Sequence, residues 1–146
     1  MENIRIIKKD EEKITISQLI DAVKKNPDID RCGALFTFEG IVRGEEENIK
    51  IIQLNLSTPN IQKNEKELKE IIKEIKEKYK VTEIAVIHYI GEFYTGDDLL
   101  LVVVAGGHRG ESIKALKETI ERIKSELDFK KEEFTESGTN IIMSGG

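Results

Sequence analysis

The chain has 146 residues, 35% of them charged and 38% hydrophobic, with a formal net charge of -5. This composition excludes an intrinsically disordered protein and predicts one domain over residues 1–146, while the acidic balance argues against broad nucleic-acid binding. No apolar run reaches the roughly 20 residues of a membrane span and no signal sequence is recognisable, so we expect a cytoplasmic protein. A single cysteine, Cys32, excludes an internal disulfide and a cysteine-based metal cluster, and no metal is expected.

The first 60 residues predict three strands and one helix. Residues 3–8 form a short strand, and Ser17 is a candidate N-cap for the helix that follows. The segments Gly33–Val42 and Ile49–Leu56 are rich in β-branched and aromatic residues, which favours strands. The polar residues Arg43–Asn48 between them predict a loop. The apolar side of the helix consists of Leu19, Ile20 and Val23.

The rest of the chain predicts two further helices and two further strands. Val81–Ile90 and Leu99–Ala105 are apolar enough for strands, and the continuous apolar run of the second predicts that both its faces are buried. The apolar stripe that predicts a helix after Pro59 consists of Leu68, Ile71, Ile72, Ile75 and Tyr79. A final helix is predicted over Glu111–Leu127, whereas residues 128–146 show weaker patterning, and residues 135–146 are expected to form a flexible tail. The predicted buried stripe of the last helix is Ile113, Leu116, Ile120, Ile123 and Leu127. Mixed helices and strands favour a single α+β domain with an antiparallel or mixed sheet and flanking helices.

The turn Gly106-Gly107-His108-Arg109 joins a buried strand to a helix start. Free backbone N–H groups and the helix dipole suit an anion there, and Arg109 and His108 add donors, so the turn is a candidate phosphate site. The alternative is that the glycines only form a tight turn and that both side chains bond backbone carbonyls. Taken alone, the segment favours this alternative slightly.

Four further cations are candidate site residues. Arg43 follows a glycine-containing strand, and Lys124 lies at the margin of an apolar helical stripe, where a partly buried lysine can act as an acid, base or nucleophile. Lys130 and Lys131 follow the helix end. Each has a simpler explanation, because lysines extend from such margins into solvent and cations complement a helix C-terminus.

Three segments, taken in chain order, resemble the large, catalytic subunit of molybdopterin synthase. They are Cys32-Gly33-Ala34-Leu35-Phe36-Thr37-Phe38-Glu39-Gly40-Ile41-Val42-Arg43, then Ile87-His88-Tyr89-Ile90-Gly91-Glu92 with Gly96-Asp97, and then His108-Arg109. The resemblance covers roughly residues 30–134, and the combination is far more specific than any one segment.

The resemblance implies an α/β-hammerhead type of α+β fold and a sulfurtransferase activity. Members of the family work with a small ubiquitin-like subunit whose C-terminal Gly-Gly ends in a thiocarboxylate. They convert cyclic pyranopterin monophosphate into the dithiolene of molybdopterin, without a metal or redox cofactor. Two large subunits form a central homodimer within a heterotetramer that carries a small subunit at each end.

The resemblance also implies residue roles. His108, Arg109 and Arg43 match substrate-binding positions, with Arg43 expected to reach the pocket of the neighbouring large subunit, and Lys124 matches a catalytic lysine. The second catalytic lysine is Lys130 if the flanking residues are matched and Lys131 if positions are counted from Lys124, and the flanks favour Lys130. Such cations would stabilise the negative charge that develops during sulfur transfer, and a lysine could protonate the leaving oxygen.

Some residues depart from the family pattern. Tyr89 stands where the family usually has Arg, and Phe129 precedes the lysine pair where a Trp is usual. These departures motivate an alternative function, a non-catalytic module that binds a ubiquitin-like tail or a phosphorylated small molecule; a scaffold dimer is a third. The terminal Gly145-Gly146 is expected to be part of a flexible tail, or alternatively to mimic the partner's tail.

Overall fold

A computed structural model of the protein describes residues 3–143. Within that range three helices and eight strands form one layered unit, so the predicted α+β class is confirmed. The strands are β1 (Ile4–Lys8), β2 (Ala34–Ile41), β3 (Glu45–Glu46), β4 (Ile49–Ser57), β5 (Glu83–Phe93), β6 (Asp98–Gly106), β7 (Lys130–Thr135) and β8 (Gly138–Met143). The helices are α1 (Ile16–Lys24), α2 (Ile61–Tyr79) and α3 (Arg109–Glu126).

The strands form one sheet in the order β2-β6-β5-β4-β7-β8, with β1 beside β5 and β3 beside β4. The β1–β5 pair is parallel and the other pairs are antiparallel. β5 joins the two halves of the sheet, because residues 83–88 pair with β6 while residues 91–93 pair with β4. The candidate site lies where these two halves meet.

The centre of the sheet is buried on both faces. All residues from Ile84 to Ile90 are buried, and Leu101 to Ala105 are completely inaccessible, which confirms the prediction that β6 is covered on both sides. The helix α3 packs on β6 and β2, α2 packs on β1 and on α3, and α1 packs on β5 and β6. None of the described helices is long and apolar enough to cross a membrane.

The predicted cap of α1 was wrong. Thr15, two residues before Ser17, is the N-cap, because its hydroxyl accepts from Gln18 N while Gln18 Oε1 accepts from Thr15 N in a reciprocal capping box. The predicted buried stripe of α2 was correct, with one exception: Tyr79 at its end is only partly buried. The buried apolar residues of α2 are Leu68, Ile71, Ile72 and Ile75.

The predicted buried stripe of α3 was only partly correct. The helix begins at Arg109 instead of Glu111, and Ile113 is 53% exposed, although Ile123 is completely buried. The residues that face the sheet are mostly small, which lets α3 approach β6 closely. They are Ser112, Ala115, Thr119 and Ile123. The buried hydroxyl of Thr119 needs no partner from another element, because its Oγ1 donates to Ala115 O in the same helix at 2.7 Å.

Two hairpins were not predicted. The expected loop 43–48 contains β3, which pairs with β4 through a turn in which Glu47 and Asn48 have positive φ, as a tight hairpin requires. In the weakly patterned segment 128–146, β7 pairs with β4. Residues 138–143, which were expected to belong to a flexible tail, form β8 on the outer edge of β7. The charged sequence of β7 has low strand propensity, so pairing with β4 overrides local preference. Gly145 and Gly146 lie outside the described residues.

Candidate active site

A cavity of about 300 Å³ opens over the sheet where its two halves meet. Its floor includes a row of cross-strand neighbours, Gly40 on β2, Leu100 on β6 and His88 on β5. Leu54 and Leu56 of β4 continue the apolar floor toward β7. The C-terminal end of α3 and the segment after β2 supply the walls.

Three of the six predicted site residues line this cavity. They are Arg43, Lys124 and Lys131, which come from three separate parts of the chain. Two carboxylates accompany them: Arg43 Nη1 lies 3.2 Å from Glu46 Oε1, and Lys131 Nζ lies 3.4 Å from Glu133 Oε1. Cations therefore outnumber carboxylates on an otherwise apolar floor, which suits an anionic ligand.

Lys124 occupies the last turn of α3, next to Ile123. Because Ile123 is completely buried and also lines the cavity, it fixes the position of the helix end beside the pocket. Lys124 itself is exposed, and its ammonium forms no ion pair or hydrogen bond with the part of the chain that the structure describes. It is thus the cation in the pocket most available to a ligand.

Lys130 and Lys131 project to opposite faces of β7. Successive residues of a strand alternate between its faces, so Lys131 and Glu133 face the cavity together, whereas Lys130 pairs with Glu132 at 3.6 Å on the other face. The cross-strand partner of Lys131 is Leu56, a residue of the pocket floor. The geometry favours Lys131 over Lys130, the residue that flanking sequence favoured.

The glycine turn lies at the opposite end of α3 from the pocket. Arg109 and Lys124 are separated by 15 positions of α3, which corresponds to roughly 22 Å along the axis. His108 is the N-cap, its side chain is 86% exposed, and its Nδ1 lies 3.4 Å from Glu111 Oε1. One chain therefore does not bring His108 or Arg109 into the cavity that holds Lys124.

The glycines of this turn have a packing role. A Cβ on Gly106 would lie 2.3 Å from Ser112 Oγ and 3.0 Å from a methyl carbon of Val81. Neither His108 nor Arg109 bonds a backbone carbonyl in the described chain, so this part of the simpler explanation is not observed. The close approach explains Gly106, and the two side chains remain exposed at the helix start.

Sequence reasoning missed two residues that shape the pocket, His88 and Phe129. Their rings stack with centroids 4.4 Å apart and an interplanar angle of 24°. Burial lowers the pKa of His88 to about 4, only partly offset by its contact with the Tyr89 carbonyl, so the imidazole is neutral near pH 7. In the sequence, His88 was noted only as part of a family segment. Its position in a predicted apolar strand was the available signal, because a polar residue there faces the side of the sheet opposite to Tyr89.

Tyr89 faces away from the cavity. Its hydroxyl accepts from Ile14 N and donates to Ile14 O, both at 2.7 Å, and the residue is 3% exposed. This departure from the family pattern thus has a structural role on the opposite face of β5. Among residues 3–143, no group of three or more His, Cys, Asp or Glu side chains is arranged to hold a metal ion.

Comparisons with known proteins agree with this architecture. The family model described as MoaE protein matches residues 9–126. A molybdopterin synthase catalytic subunit from Thermoplasma volcanium is 30% identical over 128 residues, which cover 88% of this chain and 90% of that relative.

Solved structures show the same fold. A crystal structure of molybdopterin synthase from Staphylococcus aureus matches with a TM-score of 0.82 and 29% identity, covering 97% of this chain and 98% of the other. A chain from a protein–protein complex of subunits 1 and 2 of molybdopterin-converting factor from Helicobacter pylori matches with a TM-score of 0.66 and 22% identity, covering 92% and 86%. The family predicted from sequence is confirmed: the chain belongs to the MoaE protein family, that of the molybdopterin synthase catalytic subunits.

Proposed function

We propose that the cavity formed by Arg43, Lys124 and Lys131 is where this protein transfers sulfur to cyclic pyranopterin monophosphate. The sulfur donor is the C-terminal thiocarboxylate of a small ubiquitin-like subunit. The observation that carries the proposal is the convergence of Lys124 from α3 and Lys131 from β7 on one cavity. Both were candidate catalytic residues on sequence grounds, and they come from separate elements.

The charges of the cavity suit the reaction. The substrate phosphate and the thiocarboxylate are both negative, so cations between them lower their repulsion. At each transfer the thiocarboxylate sulfur bonds to a substrate carbon, and an oxygen leaves that carbon with a proton. Water then cleaves the acyl C–S bond of the resulting thioester, which releases the partner's carboxylate and leaves the sulfur on the substrate as a thiolate. Lys124 is the group available to protonate the leaving oxygen, and Lys131, held by Glu133, supplies a fixed positive charge.

A second copy of the chain completes the site in this proposal. His108 and Arg109 match anion-binding positions but lie roughly 22 Å from Lys124 in the same chain. A homodimer that places the α3 start of one chain beside the cavity of the other would add two donors for the substrate phosphate. Arg43 lines the cavity of its own chain, and a role in the neighbour's cavity remains part of the proposal.

The assembly proposed for the whole enzyme is a heterotetramer, with a small subunit bound at each end of this homodimer. The Helicobacter pylori structure is a complex of subunits 1 and 2 of molybdopterin-converting factor, which supports a small-subunit partner. The cavity has a volume of about 300 Å³, and an extended Gly-Gly tail has no side chains to obstruct its entry. A cytoplasmic location is also part of the proposal, and cell fractionation would test it.

Reconstitution tests the proposal. Purified chain, thiocarboxylated small subunit and cyclic pyranopterin monophosphate are mixed, and dithiolene formation is followed. We expect turnover that Lys124→Ala abolishes and Lys117→Ala, a matched change at an exposed position of α3, leaves intact. Tight substrate binding without turnover would favour the non-catalytic binding module instead, and full activity of Lys124→Ala would overturn the assignment of the cavity.

A further inference from the structure

Among the described residues that line the cavity, His88 is the only histidine, and its imidazole is neutral near pH 7. It lies on β5, is 8% exposed, and occupies the floor beside Leu100. The cations of the cavity offer hydrogen-bond donors, and its two carboxylates already hold Lys131 and Arg43. Lysine and arginine side chains cannot accept a hydrogen bond, so a ligand N–H group in this cavity needs an acceptor from another residue.

The surroundings of His88 fix which ring nitrogen can accept. Nδ1 lies 3.0 Å from the Tyr89 carbonyl oxygen, which only accepts, so Nδ1 carries the proton. In a neutral imidazole Nε2 then has a free lone pair. Nε2 forms no hydrogen bond with the part of the chain that the structure describes, and His88 lines the cavity.

Two contacts hold the ring in this orientation. Stacking on Phe129 fixes the plane of the imidazole, and the bond to the Tyr89 carbonyl fixes its rotation about the Cβ–Cγ bond. Phe129 itself is only 5% exposed, so this arrangement is part of the core. An acceptor so held costs little ordering when a ligand binds.

We propose that His88 Nε2 accepts a hydrogen bond from a ring N–H of the reduced pyranopterin and thereby orients the substrate between Lys124 and Lys131. This inference rests on the proposed function of the cavity. His88 is a substrate-binding residue that selects for a heterocycle with an N–H donor at that position. It does not exchange a proton with the reacting atoms.

Two substitutions separate this role from a structural one. In His88→Asn the amide nitrogen can still donate to the Tyr89 carbonyl, but the acceptor near Nε2 is lost. In His88→Gln the longer amide can present an acceptor near Nε2, but the bond to the carbonyl is lost. Substrate affinity and the kcat and KM of dithiolene formation are measured for both variants.

We expect the Asn variant to raise Kd and KM by about fivefold to tenfold with a small change in kcat, and the Gln variant to stay nearer the wild type. The opposite order, with Asn normal and Gln impaired, would show that the residue is only structural and would overturn the inference. If the wild-type chain itself neither binds nor converts the substrate, the proposed function has failed.

A measurement on the wild-type chain covers the case in which a variant does not fold. The protein has two histidines, so ¹⁵N labelling gives two imidazole spin systems, and a His108→Gln chain assigns them. Substrate binding should shift the Nε2 resonance of His88 toward that of a hydrogen-bonded acceptor. An unchanged Nε2 resonance in the substrate-saturated protein would contradict the inference.

Discussion

Glu133 faces the cavity beside Lys131, with its Oε1 3.4 Å from the lysine Nζ. Glu133 is 7% exposed, so its carboxylate is nearly removed from water and needs this cation. The pair ties the position of Lys131 to the floor of the sheet. On the outer face of β7, Lys130 and Glu132 form an equivalent pair, and both of its side chains are more exposed.

Substitutions of the two lysines of β7 should differ sharply in their effect on enzyme activity. We expect Lys131→Ala to lower the rate of dithiolene formation by about 100-fold or more, because a charge beside the reacting groups is lost. Lys130→Ala, one residue away on the other face, is the matched control and should stay within about twofold of the wild type. Single-turnover rates with thiocarboxylated partner measure both, and a larger loss for Lys130→Ala would contradict the placement of the site.

Hybrid dimers test whether two chains share a site. Coexpression of Arg109→Ala and Lys124→Ala chains gives hybrids in which one of the two sites has both residues intact, provided that they come from different chains. Random pairing then predicts about 25% of wild-type activity from two variants that are each inactive alone. Activity no higher than that of the separate variants would place both residues in one chain's site, or Arg109 outside it.

Tyr89 should matter for stability and not for turnover. In Tyr89→Phe the N–H and the carbonyl of Ile14 both lose their partner in a buried place, so we expect a loss of about 2–4 kcal/mol in the free energy of unfolding. Urea denaturation measures this loss. The kcat and KM should equal those of the wild type, and a raised KM with unchanged stability would mean that the residue contacts substrate after all.

Much of the fold could be predicted from sequence because its patterns are strong. The continuous apolar run of β6 predicts a buried strand, and the apolar stripe of α2 predicts an amphipathic helix. The failures occur where tertiary contacts override local preference. β7 is a strand because it pairs with β4, despite its charged sequence, and α3 faces the sheet with small residues that hydrophobic periodicity ignores.

The cationic residues of the candidate site could be predicted from the sequence, but their positions relative to one another could not. Sequence matching identified Arg43, Lys124 and the lysine pair, but only the alternation along β7 separates Lys131 from Lys130. His88 lies in a segment that was predicted as a strand, but its place in the cavity could not be predicted from that segment alone. Its function depends on Phe129, which lies 41 positions away and stacks on it only after β7 joins the sheet.

His88 should also make the stability of the protein depend on pH. Its pKa in the folded protein is about 4, against 6.5 as the ordinary value, because burial disfavours the charged ring. The unfolded chain therefore binds a proton between these values that the folded chain does not. Stability is complete above about pH 6.5 and is lost as the pH falls toward 4.

The size of this effect can be measured by urea denaturation at pH 7 and pH 5. When the pH falls from 7 to 5, His88 should lower the free energy of unfolding by about 2 kcal/mol. His88→Asn retains the other ionisable groups that line the cavity, so this variant isolates the contribution of the histidine. These groups are Arg43, Glu46, Lys124, Lys131 and Glu133. We expect the difference between the two pH values to shrink by about that amount in the variant; equal differences in both proteins would mean that the ring is protonated, or solvated, in the folded state.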